Sequence, residues 1–282
     1  MVDFRYHALS LVAVFLALGI GIVLGVTVGD SLVSDADRNL RDSLRDDVTE
    51  AREQVRSEQE LGSKREQVIE ELSPQVAGGR LRGTRIALVA LGELPGAVAD
   101  SIEEAVELGD GDLVRTAVLA PPEAPRSRNP RRQQRLGGRV GRLVETGGPT
   151  ATDLRSDQPR RFSGNYRGPV QAVIVYRHPP SEPEDDEAAA ELELREAFET
   201  GLFDGLRDNV IGVEMSDTDP SQVGWYEDQV IASVDSADLT AGRLALVLVL
   251  QEAILAEITG EQPEGSFGYK DSADRALPDL SD

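Results

Sequence analysis

The chain contains no cysteine, and this absence excludes several classes of site. Without thiols it can form no disulfide, no thiolate metal site and no cysteine nucleophile, so the fold depends on its apolar core alone. Histidine and methionine are also scarce, with two of each in 282 residues. Neither His7 nor His178 has a partner at metal-ligand spacing, and Met215 is the one methionine after Met1. The sequence therefore predicts no metal ligands within one chain.

Motifs of familiar enzymes are missing as well. There is no P-loop and no GxSxG nucleophile elbow, and the turn from Gly92 to Gly96 lacks the three glycines that hold a phosphate. A paired-carboxylate hydrolase stays open, because acids are plentiful and nothing selects two of them. A net charge of −22 argues against nucleic-acid binding. We predict a non-enzymatic protein with no cofactor and no nucleic-acid partner.

Residues 8–29 carry no charge, and the rest of the chain is organised around them. As a helix this run would be about 33 Å long, close to the hydrocarbon thickness of a bilayer. A cleaved signal peptide and a buried core helix are the alternatives, and the run is long for both. We predict one uncleaved transmembrane helix in the cell membrane. The short tail 1–7 with Arg5 indicates a cytoplasmic N-terminus and an extracytoplasmic remainder.

Small residues recur at every fourth position of the predicted membrane helix. They are Ala13, Ala17, Gly21, Gly25 and Gly29. This spacing lets two helix backbones approach closely, which predicts a homodimer or higher oligomer in contact with membrane lipid. The alternative is that glycine and alanine are simply common in membrane helices.

Residues 30–77 are highly charged and carry apolar positions at mostly three- and four-residue spacing, as in Leu44, Val48 and Val55. This pattern predicts a coiled-coil stalk that continues from the membrane helix as a parallel dimer. Glu58, Gly62 and Arg65 interrupt the apolar seam, and a lone solvated helix is the alternative.

From residue 84 the pattern changes to short apolar segments that alternate with helical ones. The predicted strands are 85–91, 112–120, 171–177, 209–215 and 229–235, and the predicted helices are 96–108, 129–146 with an interruption at Gly137-Gly138, 188–207 and 239–258. Nearly continuous apolar strands between helices are typical of a parallel sheet covered on both faces. We predict an α/β fold with a Rossmann-like parallel-sheet domain over 84–260 and an acidic tail over 261–282. The helix 239–258 is apolar on nearly every side, and Arg243, Gln251 and Glu252 keep its apolar run too short for a membrane span, so it is predicted to be a core helix.

Two observations concern binding surfaces. Arginine dominates 126–167 and acids dominate 182–208, which indicates either solvated faces or an electrostatic surface for anionic lipid or an acidic partner. Asp235, Ser236 and Asp238 follow a predicted strand and precede the core helix. Ser236 or Asp238 is predicted to cap that helix, and the three residues form a candidate crevice where α/β folds bind ligands.

The chain resembles a known family over nearly its whole length. Residues 4–10 (FRYHALS) and 12–25 (VAVFLALGIGIVLG), together with 233–250 (SVDSADLTAGRLALVLVL) and 265–270 (GSFGYK), are similar to motifs of the actinobacterial MctB family. The resemblance implies copper transport or homeostasis and a place in the cell envelope, with the outer membrane as the family's assigned location. Copper is implied by the resemblance alone. Because copper(I) prefers thiolate and thioether ligands, we expect the domain 84–282 to bind copper(I) only weakly.

The resemblance also supplies an alternative function. Relatives called SteB are associated with cell-envelope and division machinery and with a partner on the cytoplasmic side. A dimeric scaffold that binds a cytoplasmic or envelope protein would suit the short tail, the helical stalk and the exported domain.

Overall fold

A computed structural model describes residues 4–119, 129–148, 160–181, 183, 185–206, 209–229, 231–270 and 273–278. Within these ranges, the side chains of 4–8, 25–43, 46, 160, 161 and 257 lie outside the description. The chain divides into two compact units, Met1–Arg65 and Glu66–Asp282. The predicted domain boundaries remain predictions.

One long helix and a set of alternating strands and helices make up the described chain. The first helix, α1, is Phe4–Ala77. The later helices are α2 Gly96–Leu108, α3 Pro130–Thr146, α4 Asp186–Gly205, α5 Val223–Asp228 and α6 Thr240–Thr259. The strands are β1 Arg85–Leu91, β2 Asp112–Leu119, β3 Arg160–Gly164, β4 Ala172–Arg177, β5 Val210–Val213, β6 Ser233–Val234 and β7 Ser266–Phe267.

These strands form one sheet in the order β3-β2-β1-β4-β5-β6-β7. All neighbouring pairs in this order run parallel except β2 and β3, which are antiparallel. The predicted mixed α/β class with a mainly parallel sheet is therefore confirmed. The antiparallel edge strand β3 was not predicted from the sequence.

The sheet separates two apolar clusters. One face carries α2 and α6, with Ile102, Leu246 and Leu250 fully buried, and the last turn of α1 joins it through Ala77. The other face carries α3 and α4, with Val140, Val144 and Leu202 fully buried. Residues 244–250 of α6 are all buried, which confirms the prediction of a core helix.

Helices α3 and α4 pack through glycine, and this corrects the prediction that Gly137-Gly138 interrupts a helix. α3 is continuous from Pro130 to Thr146. A Cβ atom on Gly137 would overlap the carbonyl oxygen of Phe198, and one on Gly201 would overlap that of Gln134. The glycines therefore allow the two helix backbones to touch. The stabilisation from this packing outweighs the destabilisation of α3 by the low helix propensity of glycine.

The C-terminal residues correct a second expectation. The prediction placed 261–282 in an acidic tail, but Ser266 and Phe267 form the edge strand β7, and Phe267 is 3% exposed in the core. Helix α5 lies where the sequence pattern predicted no element, and the strand predicted at 229–235 is reduced to β6. Residues 120 and 207, at the ends of predicted elements, lie outside the described residues.

The predicted membrane span lies within α1. Among the side chains that the structure describes, no helix reaches the length and apolar character needed to cross a bilayer. The predicted span 8–29 extends past these side chains at both of its ends.

Candidate functional site

A crevice lies where the chain reverses its direction across the sheet. The connection after β1 leads to β2 on one side, whereas β4 pairs with the other side of β1. In open α/β sheets, ligands bind at the carboxyl ends of strands at such a switch point. The crevice measures about 380 Å³ and is lined by Pro95, Ala97, Val98, Ser101, Tyr176, His178, Pro179, Met215, Asp217, Thr218, Asp219 and Asp238.

The crevice combines apolar walls with carboxylates. Its described lining includes three aspartates and neither lysine nor arginine, so its potential favours cations and disfavours phosphate. Burial and the nearby charge of Asp217 raise the pKa of the Tyr176 phenol. Tyr176 therefore stays protonated at neutral pH and can donate a hydrogen bond.

The crevice also brings together two residues that the sequence analysis considered separately. His178 follows β4, and Met215 lies two residues beyond β5. Both line the crevice. Within the described ranges there is no group of three or more His, Cys, Asp or Glu that could hold a metal ion.

The three residues of the predicted crevice have different surroundings. Asp238 lines the crevice and accepts hydrogen bonds from the backbone N–H and the Oγ of Ser216, each at 2.6 Å. Asp235 is fully buried and accepts from the backbone N–H groups of Tyr269 at 2.7 Å and Lys270 at 3.1 Å. Asp235 therefore attaches the segment after β7 to the end of β6.

Ser236 is fully buried beside Asp235, with a positive φ of 52°. Its Oγ is buried without a hydrogen-bond partner. Helix α6 follows Leu239 without a side-chain cap, so the prediction that Ser236 or Asp238 caps it is wrong. A Cβ atom on Gly242 would overlap the carbonyl oxygen of Ser236, so Gly242 allows this close turn into the helix.

Glu214 is a buried acid directly after β5 that the sequence analysis missed. It is fully buried and accepts hydrogen bonds from the Oγ of Ser221 at 3.0 Å and the backbone N–H of Gln222 at 2.6 Å. Burial raises the pKa of its carboxyl, and Asp235 raises it further, whereas these hydrogen bonds and Lys270 lower it. Its position after an apolar strand, where parallel sheets carry polar groups, was the signal available in the sequence.

We predict a pH-dependent difference in stability between wild type and Glu214→Gln. The native carboxyl has a pKa above its usual 4.5, so its contribution to stability is fully present below about pH 4.5 and is lost as the pH rises through the native pKa. Urea unfolding of both full-length proteins between about pH 4 and pH 8 should show wild type losing stability relative to the variant. A difference that stays constant with pH would contradict this assignment.

A second buried network stands at the end of β4. Arg177, 5% exposed, donates from Nε to Glu199 at 3.2 Å and from Nη1 to Gln222 at 2.6 Å. Arg195 donates from Nε to the other oxygen of Glu199 at 2.7 Å. The Arg177 guanidinium also lies over the Trp225 ring, 4.3 Å from its centroid. This network links β4, α4 and α5.

Association of the membrane helices through the small-residue row remains a prediction. Ala13, Ala17 and Gly21 are exposed, and a Cβ atom on Gly21 would have no neighbour within 4 Å. The surroundings of Gly25 and Gly29 lie outside the described side chains.

The helices that carry the two charged segments pack against each other. The arginines of α3 are exposed, and α3 packs on the acid-rich helix α4. The Nε2 of Gln134 donates to Asp204 at 3.1 Å across this pair of helices. The arginine-rich helix α3 and the acid-rich helix α4 are thus neighbours on one face of the sheet.

Comparison with known families supports the resemblance carried by the N-terminal residues. A family model described as "Copper transport outer membrane protein, MctB" matches residues 1–158, more than half of the chain. The match runs through α1, β1, α2, β2 and α3 and ends before β3. The motifs at 233–250 and 265–270 lie outside it. A comparison with curated proteins found no match.

Proposed function

The chain belongs to the MctB family of copper transport outer membrane proteins, and we propose that it handles copper in the cell envelope without catalysing a reaction. In this proposal a single transmembrane helix anchors it, with the N-terminus inside and the α/β domain outside the cytoplasm. The family description supports the copper-related role and the envelope location. The anchor and its orientation rest on the charge-free run 8–29 and the basic start of the chain.

The structural observation that supports the membrane anchor in this proposal is the exposure of the apolar part of α1. Each large apolar side chain between residues 9 and 24 is more than half exposed, from Ile20 at 52% to Leu9 at 75%. Burying one such side chain away from water contributes about 1.5–3 kcal/mol of stabilising free energy. A helix exposed on all sides is therefore strongly stabilised by an apolar environment. A lipid bilayer supplies that environment around the whole circumference.

A second function, a dimeric envelope scaffold, is favoured by another part of α1. Leu44, Val48 and Val55 lie on the predicted seam and are 53%, 48% and 55% exposed. A second copy of the helix would cover this stripe, as in a coiled coil. Such a scaffold would bind a cytoplasmic or envelope protein and would need no copper.

Deletion of the gene in the source bacterium tests both functions. We expect growth to become sensitive to added copper, with normal cell shape and septation at ordinary copper. Re-expression of the wild-type chain should restore resistance. Unchanged copper tolerance together with abnormal shape or septation would reject the copper role and favour the scaffold.

Matched glycine variants in the complemented strain test the dimeric scaffold. Gly21→Ile places a branched side chain on the small-residue row, whereas Gly19→Ile places it in the same helix off that row. If the protein is a dimeric scaffold, Gly21→Ile should fail to restore normal cell shape and septation, whereas Gly19→Ile should restore them. Equal complementation by the two variants would count against helix association through this row.

A further inference from the structure

We propose that His178 and Met215 together bind copper(I) in the crevice at the carboxyl ends of β4 and β5. This assignment rests on the proposed copper-handling function and gives it a site. It reverses the expectation from the sequence, in which the two residues are far apart and neither has a partner at ligand spacing. The structure places both of them in the lining of one crevice.

The pairing of β4 with β5 brings the segments that carry the two residues to the same edge of the sheet. The strands are parallel, with Tyr176 opposite Val213. Two residues further along each strand are His178 and Met215, and neighbouring strands are about 4.8 Å apart. The N–H of His178 donates to the carbonyl oxygen of Leu91 at 2.9 Å, so His178 continues the pairing of β4 with β1 by one residue.

Alternation along a strand puts both side chains on one face. Side chains two residues apart project to the same side of a sheet. Tyr176, Val213 and Met215 all belong to the cluster on the face of α2 and α6, and His178 follows Tyr176 by two residues. Both His178 and Met215 line the crevice, so neither is separated from it by the sheet.

The imidazole of His178 has an unused ligand atom. Its Nδ1 is buried without a hydrogen-bond partner. A buried polar nitrogen that is left unpaired costs free energy, which a bound metal would recover. Gly92 makes room for this ring, since a Cβ atom there would lie 2.9 Å from the Cβ of His178.

The chemistry of the two donors selects the metal. A thioether is a soft ligand that favours copper(I), and imidazole nitrogen also binds copper. The described side chains offer no group of three His, Cys, Asp or Glu for a harder or tetrahedral metal ion. Asp217 and Asp219 at the crevice would raise the local concentration of cations without being ligands. Two donors suit a cargo that is later released.

Competition titration of the full-length chain in detergent tests the site. Copper(I), kept reduced under anaerobic conditions, is titrated against the chromophoric chelator bicinchoninate. We expect one copper(I) per chain for wild type, and His178→Ala and Met215→Leu should each weaken binding by at least about tenfold, the loss typical of even an outer-sphere change. His7→Ala, which removes the other histidine, should bind as wild type does.

Two further measurements keep the outcome interpretable. Met215→Leu conserves side-chain volume and should fold, which near-ultraviolet circular dichroism verifies for every variant. X-ray absorption should show a sulfur neighbour of copper in wild type and its loss in folded Met215→Leu. Absence of bound copper in wild type, or unchanged affinity in both folded variants, would overturn the site. The deletion phenotype is scored independently of copper(I) binding. Copper sensitivity of the deletion strain without binding by the wild-type chain would therefore reject the site and leave the copper role in place.

Discussion

Gly201→Val should lower the free energy of unfolding of the domain by about 3 kcal/mol or more, the upper end for overpacking. A Cβ atom at this position would overlap the backbone carbonyl of Gln134 on α3. A backbone atom cannot rotate away as a flexible side chain can, so α3 and α4 must separate. Separation would expose the buried residues between these helices and the sheet, including Val140 and Leu202.

Gly138→Ala is the matched control on the same helix pair. Its Cβ atom would lie 3.3 Å from the carbonyl oxygen of Gly201, a tight contact that a small shift relieves. Alanine also gains up to about 1 kcal/mol of helix propensity over glycine, so the net change should stay within about 1 kcal/mol. Unfolding can be followed by the fluorescence of Trp225, the one tryptophan, which contacts Phe203 of α4. Equal unfolding midpoints for Gly201→Val and Gly138→Ala would refute the glycine contact.

Arg177→Met should cost about 3–5 kcal/mol, the range for breaking a buried ion pair from one side. The substitution keeps an apolar stem but removes one of the two arginine partners of Glu199, whose side chain is 3% exposed. It also leaves the Oε1 of Gln222 without its donor at 2.6 Å. Because Arg195 still pairs with Glu199, the lower half of the range is expected.

An exposed ion pair provides the control for this prediction. Arg82 and Asp110 are 2.8 Å apart, with side chains 76% and 50% exposed. Arg82→Met should cost less than about 1 kcal/mol, because water solvates the carboxylate that remains. Denaturant unfolding of both variants measures the contrast. If the two substitutions cost the same, the Arg177 network does not have the stabilising role assigned to it.

The long elements of the domain could be predicted closely because each carries its own signals. Seven consecutive residues of β1 are largely apolar, and the bounds 85–91 and 96–108 are those of β1 and α2. Pro95 before α2 and Gly109 after it mark both ends of that helix. In each case the signal lies within a few residues of the element that it predicts.

The short strands at the edges carry no such signal. β6 and β7 have two residues each, and their pairing depends on contacts between distant parts of the chain. Asp235 accepts from the backbone N–H of Tyr269, 34 residues later, which is invisible to a local pattern. Of the three residues named for the candidate crevice, Asp238 lines the crevice of the structure, whereas Asp235 and Ser236 are buried.

The sequence alone determined the charge-free run, the alternation of strands and helices, the burial of α6 and the scarcity of metal ligands, because each of these is a property of composition or local periodicity. The tertiary structure decided which distant residues meet. It made the glycines of α3 a contact surface for α4, paired Arg177 with Glu199, and placed His178 and Met215 in the lining of one crevice. The physical reason is that strand register and helix docking are set by two surfaces at once, and a single segment of sequence specifies only one of them.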